Sequence, residues 1–272
     1  MNRPTNCIQN LLSLNPTVGD VGVEIEMEGP SEFPVFGSTS DWRKEYDGSL
    51  RGHSAEYVFR KPLSLEKAKK AVTKLKSTLD NNGNKITYSE RAGVHVHVNC
   101  QHMTVEQVIR YASLYYCFET VLTKFCGEWR EGNHFCLRLQ DAEAILFTLL
   151  QVTRQSKILK VNNDIYRYAA LNFRSLGMYG SLEFRAMETQ PDLSKINEWC
   201  DMLVAIREYA INNINSREDI AARMSFIGPE AFLAEVVGQD NFKLLEYQGM
   251  DRDILIGMRE VQLLLHAPEV TQ

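Results

Sequence analysis

What the sequence lacks narrows its function before any motif is read. Its six cysteines, Cys7, Cys100, Cys117, Cys126, Cys136 and Cys200, form no CxxC pair and no close-spaced zinc framework. No run approaches the ~18 apolar residues of a membrane span. The amino terminus, MNRPTNCIQN, has no apolar stretch of the signal-peptide kind, so the expectation is a soluble protein with reduced thiols in the cytoplasm. An excess of positive charge is missing too. Thirty basic residues against 35 acidic leave a formal charge of -5, which argues against nucleic acid and an anionic membrane as partners. Both GxxxxGK[ST] and GxGxxG are absent, which removes the two commonest nucleotide cradles. Internal repeats and low-complexity segments are absent as well.

The chain has 272 residues, 44% of them hydrophobic and 24% charged, enough for one globular domain with an extension. The strongest pattern is VGVEIEMEG at Val21 to Gly29. Val21, Val23, Ile25 and Met27 alternate with Gly22, Glu24, Glu26 and Glu28, the period of a strand with one buried face. Carboxylates two apart on a strand lie roughly 6–7 Å from one another and repel unless a cation sits among them. The plainer alternative is a half-solvated strand with an acidic outer face.

Two later stretches repeat the design. In AGVHVHVNC, Val94, Val96 and Val98 oppose His95, His97 and Asn99, and in GSLEFRAM, Leu182 and Phe184 oppose Ser181, Glu183 and Arg185. Residues 29–54 are rich in Gly, Pro and Ser and read as a long loop or irregular hairpin with a turn at Asp47-Gly48-Ser49. A strand around Glu56, Val58 and Arg60 follows. Helices are expected after Ser64 as cap, from a Thr104/Gln107 capping box through Phe125, over Ala142–Thr153 and from Leu193 to Ala210. Short helices are expected over Arg217–Met224, Pro229–Val237 and Asp253–Leu265. The basic segment Arg154–Lys160 reads as a solvated face, and Tyr168–Phe173 as extended. The domain division expected is a catalytic unit over residues 1–210 and a helical carboxy-terminal extension over 211–272.

Three strands thus carry chelating or charged groups opposite an apolar face, with Glu56 as a candidate fourth contributor. Mostly carboxylate oxygens, one or two imidazoles and no thiolate suit Mg²⁺ or Mn²⁺. Such a cluster faced by Arg185, Arg174 and Arg167 is the arrangement needed to hold and cleave a polyphosphate, and any ATP must then be held by the sheet face itself.

VGVEIEMEG, DGSLRGHSAEYVFRKPL, AGVHVHVN, RYAALNF and GSLEFRAM, in that order from residue 20 to about 190, resemble the amidoligase family of the carboxylate-amine ligase superfamily. That superfamily includes glutamine synthetase and glutamate-cysteine ligase, and the family is met often in bacteria, fungi and tailed phages. The resemblance implies an α+β fold, a glutamine-synthetase-like curved antiparallel sheet with helices packed on its convex face. It also implies ATP-dependent amide formation through an acyl phosphate, and host cytoplasm as the location if the chain is phage-encoded. Metal ligation falls to Glu24, Glu26, Glu56, His95 and Glu183. Nucleotide contacts fall to Glu24, His97, Asn99, Asn172, Arg174 and Arg185. Catalytic roles fall to Asp47, Glu56, Arg185 and Arg167, with Asp47 near the incoming amine. Ser181 stands where threonine is common, and Glu28 extends the acidic row. The partners expected are a small-molecule or peptide carboxylate and an amine donor; a linked amidotransferase or hydrolase and oligomerisation are left open. Two other readings stand beside this one. They are a metal-dependent oxygenase or hydrolase built on the HxH strand, and a partner-binding protein with a degenerate site.

Overall fold

The computed structural model describes residues 6–141 and 168–266. The strands are β1 (Val21–Gly29), β2 (Trp42–Glu45), β3 (His53–Phe59), β4 (Gly93–Asn99), β5 (Leu171–Asn172) and β6 (Ser181–Glu188). They form one sheet in the order β2-β3-β1-β4-β6-β5, every neighbouring pair antiparallel. The acidic strand β1 lies inside the sheet, as its continuous apolar face requires.

Val21, Val23, Ile25 and Met27 are each at most 1% exposed. Burying a side chain of this size contributes about 1.5–3 kcal/mol. A one-residue slip would exchange these four for Gly22 and three carboxylates, so the register is fixed by burial. Val94, Val96 and Val98 of β4, Leu182 and Phe184 of β6, and Ala55, Tyr57 and Phe59 of β3 complete the apolar face. Against it pack α1 (Ile8–Leu11, one turn), α2 (Leu65–Asn81) and α3 (Val105–Cys126), and after the short α4 (Arg174–Tyr179) comes α5 (Ser194–Asn212). Tyr111 and Tyr115 of α3 set their rings 5.5 and 4.9 Å from Phe184. The Trp42 indole closes the β2 end by donating to the Ala71 carbonyl at 3.0 Å. Thr104 and Gln107 make the expected capping box. Ser64 stands at the N-cap of α2 without a side-chain bond, and Asp20 accepts the Leu65 N–H at 3.2 Å instead.

The later helices are α6 (Arg217–Ile227), α7 (Pro229–Val237), α8 (Gln239–Phe242) and α9 (Met250–His266), and α9 lies along α3 on the side away from the sheet. Gly257 makes that approach possible, because a Cβ there would lie 2.2 Å from the Cys117 carbonyl oxygen. All six cysteines are buried thiols. No described helix is long and apolar enough to cross a membrane.

One expectation is overturned. The α+β class and the antiparallel pairing hold, but the sheet is not the curved sheet of glutamine synthetase: it is open, neither curled nor closed, and the helices pack on its apolar face. Its edge strands β2 and β5 are four and two residues long, too short to carry the sheet round on itself. Its register shift falls inside the sheet, between Val94 and Val96, where it redirects side chains without bringing the edges together. Two boundaries also move. Residues 29–54, expected as a loop or hairpin, contain β2, and α4 follows a strand shorter than the extended Tyr168–Phe173 expected. The helix expected over Ala142–Thr153, the segment Arg154–Lys160 and Arg167 lie outside the described residues.

Candidate active site

Register carries polar side chains of all six strands into rows across one face. Glu45 of β2 pairs Glu56 of β3, and Glu56 pairs Glu26 of β1. One step along, Val58 pairs Glu24, and Glu24 pairs His95 of β4. In the next row Gly22 pairs His97, His97 pairs Glu183 of β6, and Glu183 pairs Asn172 of β5. Gly22 leaves the imidazole of His97 uncovered on the β1 side.

The imidazoles link the carboxylates. His95 Nδ1 lies 3.4 Å from Glu24 Oε2 and 3.9 Å from Glu183 Oε1, and its Nε2 lies 3.8 Å from Glu26 Oε1. His97 Nε2 lies 3.4 Å from Glu24 Oε1, and its Nδ1 is 3.2 Å from the Ser181 hydroxyl. Arg185 donates to Glu183 Oε1 at 2.5 Å, and Asn172 donates to the other oxygen at 2.7 Å. Arg185 Nε is buried with no partner.

These contacts set the charge states. Burial alone would raise the Glu24 carboxyl, but His95 and His97 outweigh it and hold Glu24 below the usual carboxylate range. Burial likewise opposes ionisation of Glu183, and His97, Arg185 and His95 together keep it ionised. His97 is the converse case. Burial disfavours its imidazolium, yet Glu24 and Glu183 raise its pKa.

A second group sits further along the same face. Glu26, Asp47 and Glu56 each offer a carboxylate oxygen, all within 4.8 Å of one another. Two like charges about 4 Å apart repel by about 4 kcal/mol even at an effective dielectric of ~20. The cluster accordingly binds protons: burial and then the Glu24, Glu26, Asp47 and Glu45 charges push Glu56 up to about 8. Burial also raises Glu26, against His95 and the Gly93 N–H that donates to it at 2.9 Å. The Asp47 carboxyl is lowered. Burial opposes this, and the Ser49 N–H and hydroxyl and the Glu26 carboxyl stabilise its anion. An all-oxygen triad that must take up protons to coexist fits a hard divalent cation.

Beyond Glu24 and His97 the face opens into a cavity of about 560 Å³. Glu24, His97, Asn99 and Ser181 form part of its wall, Arg43, Arg60 and Lys61 bring positive charge, and Met178 and Tyr179 stand on the opposite side. The Tyr179 ring meets the His97 ring edge-on at 6.0 Å. Of these last five, only Arg60 is named from the sequence, in the alternation with Glu56 and Val58 and with no site role. The five come from a short edge strand, a strand-helix connection and α4, where no period marks a functional face.

A family model described as "Putative amidoligase enzyme" matches residues 41–207, more than half of the chain. The chain belongs to this amidoligase family. The matched span contains Asp47, Glu56, His95, His97, Asn172, Glu183 and Arg185, while Glu24 and Glu26 lie just before it and reach the same site by strand pairing.

Set against the expected residues, the structure gathers Glu24, Glu26, Glu56, Asp47, His95, His97, Glu183, Arg185 and Asn172 on one face of the amidoligase sheet. Glu28 points along the same row but accepts the Arg51 N–H at 2.7 Å, bracing the loop that carries Asp47. Asn99 touches the cavity, yet its amide donates to the Gly19 carbonyl at 2.8 Å and to Thr17, holding the amino-terminal arm. Arg174 opens α4, where its backbone N–H donates to Asn172 at 2.9 Å.

Proposed function

We propose that the chain is an ATP-dependent carboxylate-amine ligase that forms an amide through an acyl phosphate. The observation that carries this reading is one continuous surface on which a basic cavity adjoins an acid–imidazole–arginine row. Arg43, Arg60 and Lys61 suit the charge of a triphosphate, and Glu24 and His97, with Glu183 paired to His97, would meet its terminal phosphates at the sheet.

Glu26, Asp47 and Glu56 would hold one divalent cation, and Glu24, Glu183 and an imidazole a second. Bound Mg²⁺ or Mn²⁺ would neutralise phosphate oxygens. The residues themselves perform the rest. A carboxylate oxygen of the substrate attacks the γ-phosphorus and ADP departs, giving the acyl phosphate. Arg185, whose Nε has no partner of its own, meets the charge on the moving phosphoryl group with a planar fork. The amine nitrogen then attacks the acyl carbon, phosphate leaves, and the nitrogen gives up a proton. Asp47, which stays ionised, would orient the amine and accept that proton. The substrates are a small-molecule or peptide carboxylate and an amine.

Calorimetry with ATP in the presence and absence of Mg²⁺ tests the binding step, with heat expected only in its presence. A phosphate-release screen over carboxylate and amine pairs tests turnover. Equal or absent heats in both conditions would count against the site as drawn.

A further inference from the structure

The two ends of the polar sheet face differ in charge. At the end where β1 begins lies the basic cavity, and at the end where β1 finishes the face runs past Glu26 and Gly93 toward Glu188, which pairs Gly93 in the β4–β6 register. Here two aromatic rings stand in solvent. Tyr88 and Trp129 are 47% and 56% exposed, with centroids 5.5 Å apart and planes tilted by 42°.

Glu188, whose charge acts on the Tyr88 phenol, is only 9% exposed, and its Oε2 is buried with no hydrogen-bond partner. Its other oxygen accepts from Gln190. Gly127 makes room for this carboxylate, since a Cβ there would lie 2.1 Å from the Glu188 carboxyl carbon, and Trp129 is two residues further on. The nearby Arg130 guanidinium is committed to the carbonyls of Arg185, Ala186 and Met187. Partial burial, then Glu90 and Glu188, raise the Tyr88 phenol, with Arg130 acting in the opposite sense. An unpartnered carboxylate within electrostatic reach of an exposed ring pair suits an organic cation: the rings attract it through their quadrupoles and the carboxylate balances its charge.

We propose that Tyr88, Trp129 and Glu188 form a binding site for a primary ammonium group, through which the amine-bearing substrate approaches the sheet from the end opposite the nucleotide. The ammonium site stands on its own geometry, and only the naming of its ligand as the amine substrate rests on the ligase reading. It narrows the amine to one carried as a cation on an organic stem.

The test uses the full chain and the emission of Trp129, which is exposed while Trp42 and Trp199 are 2% and 0% exposed. Shielding from acrylamide is followed while n-hexylamine, hexan-1-ol or hexanoate is added at neutral pH. Hexylamine is expected to shield Trp129 at roughly tenfold lower concentration than hexanol, and hexanoate not at all. Glu188→Gln should bring hexylamine to the level of hexanol, and Tyr88→Leu, at an exposed position, should weaken it about threefold or more. Equal shielding by hexylamine and hexanol, or an undiminished preference in either variant, would overturn the site. So would shielding by Mg·ATP in place of hexylamine. Should Glu188→Gln fail to fold, the parent's preference and its reduction in Tyr88→Leu decide the matter. Calorimetry with Mg·ATP runs in parallel. Absent heat with an intact hexylamine preference would overturn the ligase reading and leave the ammonium site standing.

Discussion

Glu183 and Arg185, two residues apart on β6, are joined by a hydrogen bond of 2.5 Å, and Asn172 occupies the second Glu183 oxygen at 2.7 Å. Arg185 therefore has a partner before any phosphate arrives. Its unpartnered Nε is the part of the fork left for a ligand. Arg185→Lys retains the charge and the Glu183 contact but loses the planar second donor. It is expected to melt like the parent, bind Mg·ATP within a few-fold of it, and release phosphate roughly 10²-fold more slowly. Phosphate release beside a thermal melt measures both, and a parental rate would remove Arg185 from phosphoryl transfer.

The Glu26–Asp47–Glu56 triad gives a prediction that needs no substrate. A cation that binds the folded chain stabilises it by about 2.7 kcal/mol at 100 times its Kd, roughly 5–10 °C in Tm for a chain of this size. MnCl₂ added after EDTA should raise Tm on that scale. Asp47→Asn should reduce the rise by the share this triad supplies, whereas Glu28→Gln should leave it unchanged, because Glu28 braces Arg51 and lies outside the triad. An equal rise in Asp47→Asn would place the cation elsewhere.

Much of this site was legible because it rests on a period of two. Once Val23, Val96 and Phe184 are buried, Glu24, His95 and Glu183 must share the other face, and antiparallel pairing then makes them neighbours. What could not be read depends on contacts between distant parts of the chain. Asn99 has the right face and residue type for a ligand contact, yet its amide is held by an arm 80 residues away in sequence. Trp42 sits in a stretch whose Gly, Pro and Ser content suggests a loop, and becomes strand because its indole reaches the Ala71 carbonyl. Asp20 takes over the capping bond that Ser64 was expected to make. That the sheet stays open had no local signal either, since it turns on how long the edge strands are.

The carboxy-terminal helices can be tested through Gly257. In an exposed helix Gly→Ala stabilises by about 1 kcal/mol, but here the new methyl would meet the Cys117 carbonyl oxygen at 2.2 Å, where α9 lies against α3. Overpacking of this kind costs about 1–3 kcal/mol, and a backbone atom yields less readily than a side-chain end. Gly257→Ala should therefore lower Tm by a few degrees as one cooperative transition, as expected if residues 211–272 and the catalytic unit unfold together. A raised Tm would show that α9 does not hold this close approach.

The last prediction concerns Glu119, buried behind the sheet on α3. One of its oxygens accepts the Leu139 N–H at 2.8 Å and the other has no partner. Burial pushes this carboxyl up to about 8, with the Leu139 bond and Arg138 opposing and Glu260 and Asp141 adding to the rise. In the unfolded chain it titrates near the ordinary value, about 4.5. Between those limits the folded state holds more protons than the unfolded one, so this group's contribution is fully present below about pH 4.5 and is lost as pH rises through 8. Glu119→Gln keeps an acceptor for Leu139 and cannot ionise. Tyr115 and Thr123, four residues away on either side along α3, carry buried hydroxyls without partners of their own, and these are the acceptors nearest in the helix for the new amide hydrogens. The variant should melt close to the parent at pH 5 and above it at pH 9, by an amount equivalent to a few kcal/mol. Thermal melts across that range decide it, and parallel curves for parent and variant would mean that Glu119 is ionised throughout.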